Sequence, residues 1–194
     1  VTLQYQILVI ISIAYFIIEK KKTAPQPWQA IAHDFVQSEF EGVDFVLKKY
    51  KFGFDIWGMI VFLIIMLPNF IWFAVPAPND ILRTESITVI IDAIGSICQV
   101  LMIFSLCVFI NPMRKKLSFT KTIIMVICCC VIYFASWVLY YWGITNAVVI
   151  LGLTIPPCLA FLFFAIDRKN YISIIPISIF TICHLIYGVV NYII

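Results

Sequence analysis

Long apolar runs alternate with short polar breaks along this chain, and the runs set its elements. A membrane-crossing helix needs about 20 mostly apolar residues. Six segments meet or approach that length: 2–18, 55–75, 87–110, 122–142, 147–166 and 171–194. The breaks between them are chemically distinct. Glu19-Lys20-Lys21-Lys22 ends the first run, and Lys48-Lys49-Tyr50-Lys51 precedes the second. Pro76-Ala77-Pro78-Asn79-Asp80 reads as a rigid turn, and Asn111-Pro112 as a sharp helix stop. Gln4 and Gln6 shorten the apolar part of the first run, so five spans remain the alternative to six.

Segment 19–54 is the one long break. Trp28, Ile31, Phe35, Val43, Val46, Leu47 and Tyr50 recur there at helical spacing, opposite His33, Asp34, Gln37, Glu41 and Lys48. This pattern predicts an amphipathic helix on the inner membrane face, with Gly42 as a break point. Four acids, Asp34, Glu39, Glu41 and Asp44, oppose adhesion to anionic lipid. Packing against the inner ends of the spans is an equal expectation, and docking of a partner is a third. The chain thus divides into 1–54, a span plus this amphipathic helix, and 55–194, a five-helix core. The first run differs from a signal peptide, because its lysines follow the apolar stretch and no Ala-x-Ala site appears. It reads as a retained span, with an interfacial or removed segment as the alternative. Val1 fits either a non-AUG start or the edge of a fragment.

Composition agrees with the pattern. The 194 residues are 63% hydrophobic and 12% charged, against about 45–50% and about 25% in soluble domains. So few charges cannot cover the surface of a soluble fold, which excludes a soluble enzyme, a disordered tail and a collagen-like fibre. The charges are also sorted. If six spans alternate, one side holds Lys20, Lys21, Lys22, Lys48, Lys49, Lys51, Arg114, Lys115, Lys116, Lys121, Arg168 and Lys169, which is 12 of the 13 basic residues; only Arg83 lies opposite. The positive-inside rule makes the crowded side cytoplasmic and puts both termini outside. Trp72, Tyr140, Tyr141 and Trp142 near outer ends, and Trp57 and Tyr171 near inner ends, suit the headgroup level. The fold class is therefore an all-α polytopic membrane bundle.

Candidate chemistry is sparse. The seven cysteines all fall in apolar runs without metal spacing and read as small core or lipid-facing residues. HExxH, GxSxG and Gly-rich phosphate loops are absent from the sequence, so no catalysis and no cofactor or metal is expected. Arg114-Lys115-Lys116 is too short for a nucleic-acid tract, and Asp167-Arg168-Lys169 reads as a topology anchor. Two titratable groups fall clearly within spans: Asp92, about 9 Å from the outer end of its run, and His184, about 15 Å from its own. Asn69 shares the depth of Asp92, while Ser96 and Gln99 share its helix face. Thr181, His184, Gly188 and Asn191 form a stripe, and Thr154 precedes Pro156-Pro157, a pair expected to kink or unwind its helix. Two readings stand. In one, Asn69, Asp92, Ser96, Gln99, Thr154 and His184 form an outward polar pocket for a proton or cation. In the other they are packing glue, with Asp92 bonded to Asn69, and His184 bonded to Tyr133 or Thr154.

Residues 54–83, with the mid-span Leu67-Pro68-Asn69 and the Pro76–Asp80 turn, carry a resemblance. Together with the spans that follow, covering about residues 53–194, they resemble small polytopic membrane proteins of bacteria, mostly Firmicutes, that have no assigned function. The resemblance implies the bacterial cytoplasmic membrane and brings no site residues. The expected function is a non-catalytic, transporter-like or permease-associated protein. The alternative is a structural, interaction or sensor subunit acting through 19–54. A third, an intramembrane lipid enzyme, lacks the required residues. Expected partners are the bilayer and another membrane protein or a second copy of the chain, with no nucleic acid.

Overall fold

A computed structural model describes residues 50–114 and 116–194, so the first run and most of the amphipathic segment lie outside the described residues. Five helices dominate: α1 (Ile56–Ala74), α2 (Val89–Val108), α3 (Lys121–Tyr141), α4 (Ala147–Asp167) and α5 (Tyr171–Tyr192). All five are long and apolar enough to cross a membrane. Their 19 to 22 residues rise about 28–33 Å at 1.5 Å each, which matches a hydrocarbon core of about 30 Å. The chain is thus a multi-pass helical membrane protein.

The ends of the helices are written in local chemistry. Asp55, Thr120 and Asn146 cap α1, α3 and α4, their side-chain oxygens accepting from the amides of Trp57, Ile123 and Val149. Each such cap satisfies one of the amides that a helix start leaves unpaired. At the other end of α3, the Gly143 amide bonds the Tyr140 carbonyl and the Ile144 amide bonds that of Leu139, with Gly143 at φ +83°. The same double bond closes α4, where Lys169 takes φ +53° in the position that usually holds glycine. The Pro156-Pro157 pair does not interrupt α4, which is helical throughout. Pro68 and Pro176 likewise sit inside α1 and α5.

Loops gather at two ends. The basic end joins β1 (Lys51–Phe52) to β2 (Phe109–Ile110) in an antiparallel bridge with Phe52 opposite Phe109. Asn170 ties the α4–α5 turn to the carbonyls of Ser105 and Phe109, both at 3.0 Å. Asn111 and Tyr50 both donate to the Lys169 carbonyl. The opposite end is closed by Tyr141 to the Val75 carbonyl and by Asn79 to that of Gly143.

Laterally, α5 lies between α2 and α4, α4 lies between α5 and α3, and α1 leans on α2, α4 and α3. The middle helix α4 is consequently the most buried. Small residues let the backbones approach. A methyl at Gly58 would stand 2.9 Å from the Leu106 carbonyl oxygen, and one at Gly188 would stand 2.8 Å from the Thr154 hydroxyl. The outward faces, such as Leu63, Leu67 and Ile71 of α1, stay apolar and exposed, as lipid contact requires.

Candidate functional site

Three polar centres form among the described residues. The first is a seam between α2 and α5. Asn191 donates through Nδ2 to the Thr88 hydroxyl at 2.7 Å, and that hydroxyl donates to Asp92 Oδ1 at 3.1 Å. Asn191 Oδ1 in turn accepts from the Ile87 amide at 2.8 Å. Asp92 lies within electrostatic reach of His184, Tyr187 and Tyr192. His184 stacks between Phe180 and Tyr187, with ring centroids 5.1 and 6.3 Å away. Because α2 begins only at Val89, Asp92 sits in its first turn, where the positive end of the helix dipole favours a carboxylate. That places it about 6 Å below the helix end, shallower than the sequence spacing implies.

The sequence-derived set divides across the bundle. Asp92, Ser96 and Gln99 all belong to α2, with Gln99 buried and Ser96 half-buried. Thr154 on α4 meets the polar stripe of α5 at Gly188, one turn beyond His184. Its hydroxyl is spent on the Ile150 carbonyl of its own helix, at 2.7 Å. Asn69 stands apart: it donates to the Tyr133 hydroxyl at 2.7 Å, joining α1 to α3 rather than to Asp92. The pairings pictured for packing glue are therefore replaced by others. The physical cause is lateral order, since α1 packs only lightly on α2 while α5 lies fully alongside it.

The second centre, at the basic end, was hidden in the sequence. Asp55 is 4% exposed and Arg168 5% exposed. Arg168 donates from Nε and Nη2 to Asp55 Oδ2, at 3.1 and 2.9 Å, and Arg114 Nη1 joins the same oxygen at 2.5 Å. Arg168, read from the sequence as part of a topology anchor, is also a buried partner of Asp55. The usable signal was Asp55 itself, an N-cap type placed just before an apolar run.

The third centre, at the opposite end, surrounds Asp80. Trp72 Nε1 and the Tyr140 hydroxyl both donate to Oδ1, at 2.9 Å, and Arg83 Nε donates to Oδ2 at 2.8 Å. Tyr140 also accepts from the Leu82 amide at 3.1 Å. The Arg83 guanidinium lies 5.0 Å from the centre of the Trp72 ring. All seven cysteines are free thiols. Among the described residues, no three His, Cys, Asp or Glu side chains converge as a metal set. No family model matches the chain, and no curated protein and no solved structure matches it.

Proposed function

We propose that this is a non-catalytic, transporter-like or permease-associated protein of the bacterial cytoplasmic membrane. Its basic end faces the cytoplasm, its C-terminus lies outside, and it takes up a proton or small cation at the α2–α5 seam. The observation that carries this reading is the line Asn191–Thr88–Asp92, with His184 in electrostatic reach. Ionisable groups at membrane depth are costly and mark ion or proton paths more often than surfaces do. Asp92 is half-buried and lies near the end opposite the basic loops, so a seam there opens outward.

The test needs no known substrate. In a chain whose native cysteines are replaced, Ser96→Cys probes the seam and Ile97→Cys, 61% exposed, probes the lipid face. A membrane-impermeant cationic thiosulfonate applied from outside modifies position 96 and spares position 97. Adding Asp92→Asn slows the reaction at 96 by removing the charge that attracts the reagent. Equal, negligible reaction at both positions means a closed seam and ends this reading.

A further inference from the structure

At the basic end an open cleft of about 380 Å³ is lined by Trp57, Arg114, Lys116, Leu117 and Arg168. Three of these five residues are cations. The carboxylate paired with both arginines, Asp55, is buried and supplies one negative charge against three positive ones. Asp167, next to Arg168 in sequence, is bonded by the Thr120 hydroxyl and does not line the cleft. Among the described lining residues, positive charge is therefore in surplus. Its depth is equally specific, because Trp57 is the second residue of α1 and Leu117 lies just before α3, both at the ends of spans. Trp57 is 43% exposed there, and an indole at the end of a span suits the level of the lipid headgroups.

We infer that this cleft binds a phosphate-bearing anion, held by Arg114 and Lys116 over a floor formed by Arg168. Guanidinium groups fixed by a carboxylate are presented without further ordering, and basic pockets between spans at the inner leaflet suit anionic headgroups. The Asp55 pairing orients Arg168 and Arg114, Lys116 adds an exposed charge, and Trp57 and Leu117 flank the glycerol and acyl region. Phosphatidylglycerol and free phosphate share the recognised group. The depth of the site favours the lipid.

The experiment uses the full chain in neutral detergent, with bound lipid counted by native mass spectrometry. The probes are phosphatidylglycerol, phosphatidylcholine and inorganic phosphate. Wild type is expected to retain phosphatidylglycerol in preference to phosphatidylcholine. Lys116→Gln is expected to weaken phosphatidylglycerol binding about fivefold, the usual worth of one interfacial cation. Lys116→Arg restores it. Lys121→Gln removes the same charge from an exposed residue that does not line the cleft, and leaves binding unchanged. Displacement of the lipid by millimolar phosphate identifies the phosphate as the recognised group, while resistance to it identifies the whole lipid; either outcome keeps the site. Equal retention of both lipids, or equal losses in Lys116→Gln and Lys121→Gln, overturns the inference.

Discussion

Arg168 reaches Asp55 across 113 positions of sequence and holds one of its carboxylate oxygens with two nitrogens. This contact joins the loop before α1 to the loop after α4, with both side chains almost wholly buried. Removing Asp55 takes the carboxylate from the buried Arg168, and removing Arg168 leaves the buried Asp55 with only the part-hydrated Arg114. Arg168→Gln or Asp55→Leu should lower stability by about 3–5 kcal/mol. Arg114 meets the same oxygen, but its side chain is 29% exposed and hydrated in part. Arg114→Gln should cost about 1 kcal/mol or less. Thermal unfolding in detergent separates the two cases, and equal losses would contradict the burial order.

The contact of α4 with α5 rests on the absence of a side chain at Gly188. Gly188→Ala drives a methyl into the Thr154 hydroxyl, 2.8 Å away. The hydroxyl is held by its bond to Ile150, so overpacking should cost about 1–3 kcal/mol. Thr154→Ala leaves a nearest atom 3.6 Å away and should restore most of the loss in the double variant. Additive losses, measured by the same unfolding assay, would place the two helices further apart than described.

Lys169 holds a left-handed conformation at the end of α4, with φ +53°. A side chain in that region costs about 1 kcal/mol that glycine avoids. Lys169→Gly should therefore raise stability by about that amount, because the interactions at this position use its backbone carbonyl, which accepts from Tyr50 and Asn111. A loss of stability would show that the lysine side chain makes a larger contribution than its backbone.

Tyr140 serves two groups at the opposite end, the Leu82 amide and Asp80. Its side chain is fully buried, so water does not replace the lost hydroxyl. Tyr140→Phe should cost about 1–3 kcal/mol. Proteolysis of the 75–88 loop in the variant should accelerate. An unchanged cleavage rate would mean that the loop is held by other contacts.

The sequence located the five described spans to within two residues at every end, because each is a run of apolar residues closed by prolines, caps or charge. What it did not carry was lateral order. Hydropathy does not say that α5 lies against α2, so Asn69 was grouped with Asp92 although its partner is Tyr133. Arg114 and Arg168 read only as positive-inside charges, and Asp55 as the first residue of a run, for the same reason: pairing across 113 positions leaves no local pattern. The α2–α5 seam was half legible. Its α5 stripe followed from helical spacing, but Thr88, the hydroxyl that links Asn191 to Asp92, lies outside α2 as its cap and has no periodic signature. The run at 2–18 and most of the amphipathic segment fall outside the described residues.

The central claim is that the described helices cross the membrane five times, with the basic end inside. Two single-cysteine variants on a background without native cysteines test it directly. Phe119→Cys lies in the basic-end loop and Glu85→Cys in an opposite one, and both positions are exposed. A membrane-impermeant maleimide added to intact cells should label position 85 at once and position 119 only after permeabilisation. Labelling of both positions from outside, or of position 119 alone, would contradict the account.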